Sequence, residues 1–140
     1  MRILLLILFV IHTSTCLFGF IGRQQSVDVT GRLFCNGVPA KRVKVKLYDK
    51  DPIFDRKLDQ SYTNDHGEFH VTGSAREITR IDPKINIYHK CGYFGPCYKK
   101  LPIKIPKSFI SYGKRPTKTY DIGAINLANK FKGETIDCIN

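Results

Sequence analysis

The sequence predicts an all-β domain, a sandwich of two sheets with about seven strands and at most one short helix. Three observations carry that expectation. Short segments alternate apolar and polar residues with the period of two that sheets require. Gly, Pro, Asn and Asp turns separate them. Only two places are left for a helix, TGSAREITRIDP (72–83) and a turn near KSFIS (107–111).

The chain opens with MRILLLILFVIHTSTC, in which Arg2 precedes an apolar run from Ile3 to Ile11 and small polar residues follow. That is the layout of a secretory signal peptide over residues 1–16, with cleavage between 16 and 22. The run is too short to span a bilayer, which takes about 20 residues. No second hydrophobic segment of membrane length follows, so the mature chain is expected to be secreted, extracellular and without a transmembrane segment. Residues 17–25 read as an N-terminal segment and 26–140 as one domain.

The first strand is SVDVTGRLFC (26–35), with Val27, Val29, Gly31, Leu33 and Cys35 on one face and Asp28, Thr30 and Arg32 on the other. NGVPA turns the chain into RVKVKLYD (42–49), where Val43, Val45 and Leu47 face inward. DKDPIFDRKLDQSYTND (49–65) is a long polar stretch, expected to be a loop crossing the sandwich end. NDHG then leads into GEFHVTG (67–73), which places Phe69 and Val71 together. KINIYHK (84–90) points Ile85, Ile87 and His89 inward. YKKLPIKIP (98–106) offers Leu101, Ile103 and Ile105; its prolines mark an edge strand or an early end. TYDIGAINL (119–127) supplies the last strand.

Four segments in this order, GRLFCNGVPAKRVKVKLYDKD, TNDHGEFHVTGS, IDPKINIYHKC and IPKSFISYGKRPTKTYDIGAINLANKFKGETIDC, resemble the transthyretin-like family of nematode secreted proteins. The similarity spans essentially the whole mature chain. It implies a transthyretin (prealbumin)-like Greek-key β-sandwich, secreted and stabilised by cysteines. Roles proposed within the family are extracellular: binding of small apolar molecules or lipids, bridging, and signalling.

Removal of Cys16 with the signal leaves Cys35, Cys91, Cys97 and Cys138. An even set in an oxidising compartment implies two disulfides, with three possible connectivities. In the implied sandwich all four cysteines gather at one end, and the C-terminal tail is pinned by Cys138 to an undetermined partner. A zinc site built from His89, Cys91, Cys97 and Cys138 would suit a reducing cytosol and is disfavoured behind a signal peptide. C-x5-C is also not redox-motif spacing.

Catalysis finds little support. His66, His70 and His89 fall in different segments, and neither G-x-S-x-G nor H-E-x-x-H occurs. Hydrolases of this fold acting on 5-hydroxyisourate end in Tyr-Arg-Gly-Ser, whereas this chain ends Asp-Cys-Ile-Asn. No cofactor or resident metal is expected. Asp49, Asp51, Asp55, Asp59 and Asp65 do not match an EF-hand and are interleaved with Lys50, Arg56 and Lys57, so a solvated loop with local salt bridges is expected.

The remaining signal is charge. The chain has 23 Lys and Arg against 12 Asp and Glu, a formal charge of +11, which favours anionic partners. Secretion argues against nucleic acid. Strands 42–49, 84–90 and 98–105 are expected to share a sheet whose outer face presents Arg42, Lys44, Lys46, Tyr48, Lys84, Asn86, Tyr88, Lys90, Lys100 and Lys104, without a carboxylate. At its end, Gly92-Tyr93-Phe94-Gly95 forms a hairpin tip with an exposed aromatic pair. The expected function is binding or bridging to an anionic lipid, cell surface or receptor through Arg42, Lys44, Lys46, Lys84, Tyr88, Lys90, Tyr93, Phe94, Lys100 and Lys104, by a monomer or weak oligomer. A carrier of a small apolar ligand is the alternative that the resemblance to transthyretin implies.

Overall fold

The spine of the first sheet is β1 (Arg23–Cys35). Val27, Val29, Gly31 and Leu33 are buried along one face, while Asp28, Thr30 and Arg32 alternate with them toward solvent, as a strand packed on one side requires. The computed structural model describes residues 22–140. Residues 1–21, where the sequence leads one to expect a signal peptide and which include Cys16, lie outside the described residues.

A turn at Asn36-Gly37 brings β2 (Val38–Pro39) back onto the end of β1. β5 (Glu68–Glu77) pairs antiparallel with nearly the whole of β1. On the other side of β1 lie β8 (Ser111–Tyr112), antiparallel, and β9 (Tyr120–Asn126), parallel.

The second sheet consists of β3 (Lys44–Asp49), β4 (Arg56–Tyr62), β6 (Pro83–His89), β7 (Tyr98–Lys104) and β10 (Thr135–Asp137). Its strand order is β10-β7-β6-β3-β4, antiparallel throughout. Two inward rows cross it: Val45, Ile87 and Leu101, then Leu47, Ile85 and Ile103. They pack against Val27, Val29, Leu33, Phe69 and Val71 of the first sheet to make one core. Burying side chains of this size contributes about 1.5–3 kcal/mol each, which makes this layer the main source of stability.

The predicted sandwich of two sheets is therefore the observed one; the described residues form ten strands, of which β2, β8 and β10 are only two or three residues long and are not read from the sequence. The turn near 107–111 is a single 3-10 turn, Lys107–Phe109. Pro102 lies beyond the reach of β10, which covers only Tyr98–Lys100 of β7, so the missing N–H faces no ladder.

Three expectations are corrected. Residues 72–83 form no helix: β5 runs on to Glu77 because β1 begins at Arg23 and supplies a partner there. The buried side chain of Gln25 then shapes the turn that follows, donating to the Thr79 carbonyl at 2.8 Å and accepting from the Ile81 N–H at 2.9 Å. The same pairing places 23–25 within β1, so the N-terminal segment expected to reach residue 25 is shorter. The polar stretch 49–65 is not one loop, since Arg56–Tyr62 is the edge strand β4. An edge strand with no fully buried residue, in which half-buried Leu58 is followed by half-buried Asp59, Gln60 and Ser61, has no reason to look apolar.

The disulfides are Cys35–Cys91 and Cys97–Cys138. The first joins the end of β1 to the end of β6 and so ties the two sheets together. The second ties the start of β7 to the tail after β10. All four cysteines gather at one end of the sandwich, as the strand order requires.

Candidate functional site

The outer face of the second sheet is built in cross-strand rows. Lys44 stands in register with Tyr88 and Lys100; Lys46 with Asn86 and Pro102; Tyr48 with Lys84 and Lys104. The alternation that points Val45 and Leu47 inward thus collects lysines from three strands on one surface. Lys46 lies 5.2 Å from the Tyr88 ring centre, and Lys90 4.7 Å from that of Tyr98. Burial, together with the charges of Lys44 and Lys57, holds the Lys46 ammonium below its ordinary pKa.

Four features differ from the surface read in the sequence. Arg42 is not on the face: it adopts a φ of 54° in the turn before β3 and pairs with Asp65 at 3.4 Å. Tyr88 lies in the outer row yet is only 4% exposed, and burial pushes its phenol up to about 12. Its cover includes Lys46, and the tail arrives beside it where Lys44 Nζ donates to Asn140 Oδ1 at 3.0 Å. Carboxylates reach the face as well. Asp55 pairs with Lys84 at 2.6 Å, and Asp137 approaches Lys100 at 3.9 Å. Finally, the aromatic tip is not a pair. Phe94 is fully exposed, whereas Tyr93 folds back over Gly95, whose missing side chain leaves the room that the Tyr93 ring occupies.

The tip spans residues 92–96, between Cys91 and Cys97, each in a different disulfide. His89 lies beneath it, 3% exposed. Its Nε2 meets Glu134 at 3.1 Å, and its Nδ1 accepts the Cys91 N–H at 3.1 Å. Burial lowers the His89 pKa and nearby Lys99 lowers it further, against the hydrogen bond and charge of Glu134. The four cysteines are spent in disulfides, so the His89–Cys ligand set has no free thiolate to offer. The other histidines have separate partners: the His66 carbonyl accepts from Arg32, and His70 pairs with Asp28 on the first sheet. Thr119 donates to that Asp28 at 2.6 Å. These hydrogen bonds hold Asp28 below its ordinary value although burial raises it.

The opposite end of the sandwich holds groups that the sequence reading left unassembled. Lys50, Lys84, Lys104 and Lys132 surround a recess of about 330 Å³ that Asp82 and Pro102 complete. Beside it the β3–β4 loop exposes Ile53 and Phe54, 90% and 69% accessible. Asp49, Asp51 and Glu77 also meet there. A hydrogen bond shared with Asp49, then burial, then the charges of Asp49 and Asp51 raise Glu77 to about 7. Lys50 and Lys132 lie far apart in sequence, and only the β6–β7 register brings Lys84 and Lys104 between them.

Residues 30–106 match the model of the TTR-52 transthyretin-like family. The chain is 46% identical over 126 residues to Transthyretin-like protein 5 of Caenorhabditis elegans, covering 88% of this chain and 91% of the relative. It is 43% identical over 129 residues to Transthyretin-like protein 2 of the same organism, covering 86% and 87%. A solved (S)-allantoin synthase structure overlaps 82% of this chain and 44% of its own, at 14% identity and a TM-score of 0.47. That likeness is too loose to bear on activity.

Proposed function

The chain belongs to the transthyretin-like family, and we propose that it is a secreted binding or bridging protein which engages an anionic lipid surface through Phe94 and the lysines beside it, without catalysis. The carrying observation is Phe94, 101% exposed on a short tip clamped by two disulfides. An apolar ring held rigidly in water gains about 1.5–3 kcal/mol when an interface covers it. Lys44, Lys90 and Lys100 stand at the same end of the sheet, and each cation near an anionic surface is worth about 1 kcal/mol. The disulfides fit an oxidising, extracellular compartment. A cell-surface receptor with an acidic patch would use the same groups.

Pelleting with vesicles tests the proposal. Wild type is expected to bind phosphatidylserine-containing vesicles and not neutral ones at physiological salt. Phe94→Ala is expected to weaken that binding about 10–100-fold with unchanged thermal stability, because the ring touches no core residue. Ile53→Ser/Phe54→Ser at the far end is the control. Equal binding to neutral vesicles, or full binding by Phe94→Ala, refutes the lipid reading. The carrier alternative would rest on a groove of about 760 Å³ in which Tyr62, Phe69 and Ala124 lie among Arg32, Glu68, His70 and Asp121; it is an open groove, whereas apolar ligands are usually taken up in clefts that bury most of their surface.

A further inference from the structure

At the end of the sandwich opposite the disulfides, three carboxylates from two sheets converge. Asp49 closes β3, Asp51 begins the loop after it, and Glu77 closes β5. One oxygen from each lies within 4.8 Å of the others. Asp49 is 0% exposed. Its Oδ1 accepts the Asp82 N–H at 2.8 Å, and its Oδ2 meets no N–H or hydroxyl donor among the described residues, so a proton shared with Glu77 is what the pair has in place of a cation. A buried carboxylate oxygen facing two further carboxylates is costly, and the usual remedies are a donor or a cation.

Arg56 is the cation at hand, and it is insufficient. Its guanidinium reaches Glu77 at 3.5 Å and Asp51 at 3.9 Å, not Asp49, and it is half exposed. With Glu77 ionised, three carboxylates against one guanidinium leave a local charge of minus two; with the proton that Glu77 shares with Asp49 they leave minus one. We propose that Asp49, Asp51 and Glu77 form a binding site for one hard divalent cation, calcium in preference to magnesium.

The donor set decides the class. All three ligands are oxygens, which suit calcium or magnesium; zinc and copper favour nitrogen and sulfur. Calcium–oxygen distances of about 2.3–2.6 Å allow two ligands of one ion to stand up to about 5 Å apart, which these oxygens satisfy as they are placed. Magnesium demands octahedral geometry at about 2.0–2.1 Å, which carboxylates on two separate sheets and a loop are poorly arranged to provide. Asp51 and Glu77 are partly exposed, so water has access to complete the six to eight oxygens calcium takes. The ion would tie the β3–β4 loop, which carries Ile53 and Phe54, to the end of β5.

The test uses the disulfide-bonded chain from residue 22 onward, stripped with chelator and titrated calorimetrically with CaCl₂ or MgCl₂ alone. The expected result is one calcium per chain, with a dissociation constant at or below about 1 mM, as for extracellular calcium modules. Saturating calcium is expected to raise Tm by about 5 °C or more. Asp51→Asn, at a partly exposed loop position where folding should persist, and Glu77→Gln are each expected to lose the heat and the Tm rise. Absence of calcium binding up to about 10 mM, or an undiminished Tm rise in both variants, overturns the proposal. So does calcium-independent stabilisation by Glu77→Gln with no calcium response in wild type, which would assign the site to a shared proton. Magnesium binding as tight as calcium overturns the preference for calcium. Vesicle binding at Phe94 is measured separately, so either result stands without the other.

Discussion

His89 shows most clearly what one residue contributes that no pattern announces. Its inward place was legible from the alternation Ile85, Ile87, His89, and it is indeed buried. Its partner Glu134 was not, because it lies 45 residues later in a segment without strand periodicity. Burial holds the folded pKa of His89 below its ordinary value of 6.5, Lys99 adds to the effect, and Glu134 opposes both. The unfolded chain therefore binds a proton more readily than the folded one. His89 contributes stability that is complete above pH 6.5 and is lost as the pH falls from there through the folded value. Removing Glu134 takes away the group that holds the proton, so Glu134→Gln should extend that loss to lower pH. Urea unfolding of wild type, Glu134→Gln and His89→Gln between about pH 5 and 8 measures it. The acid-side slope should steepen in the first variant and flatten in the second. Glu77, raised to about 7, acts with the opposite sign; differences between variants cancel it. Equal slopes in all three proteins would refute the assignment.

At the scale of elements, legibility followed the core. Strands with one face in the core, β1, β3, β5, β6 and β7, showed themselves by alternation, because burial selects residue type at every second position. β4 and β10 are edge strands, and their sequences are free to be polar. β10 nevertheless has a task. It pairs with β7 over three residues, and the Cys97–Cys138 bridge fastens the chain immediately after it. Its Asp137 charge adds to the burial that raises Tyr88 to about 12. The double variant Cys97→Ala/Cys138→Ala opens a loop of 41 residues, which in the chain-entropy account costs up to about 4 kcal/mol. The bridge between the sheets, Cys35–Cys91, stays intact, and the sandwich is expected to remain folded. The local signature is more telling than the global loss. With the tail released, Tyr88 should titrate lower, toward the ordinary tyrosine value of about 10, in a spectrophotometric titration. A Tyr88 unmoved from about 12 would mean that the sheet alone buries it.

For the whole molecule the question is how a formal charge of +11 is distributed. The sequence showed the excess but not its division, which depends on where loops far apart in the chain come to rest. Lys44, Lys90 and Lys100 stand at the Phe94 end, while Lys50, Lys84, Lys104 and Lys132 ring the recess at the other. The length of β3 separates them, about 17 Å at roughly 3.3 Å per residue. The Debye length is about 8 Å at physiological ionic strength and about 30 Å at 0.01 M. At physiological salt the two basic ends therefore act independently, and at low salt they act as one. A protein that bridges two anionic partners needs that independence. Vesicle binding through Phe94 is expected to be insensitive to Lys104→Glu/Lys132→Glu at about 0.15 M salt, and weakened by it at about 0.01 M. Lys90→Glu/Lys100→Glu should weaken binding at both, by about 10-fold or more at 0.15 M if each site contributes about 1 kcal/mol. Should the far-end pair lose as much as the near-end pair at physiological salt, the membrane would be meeting the recess or the long face of the sheet, and Phe94 would not be its anchor.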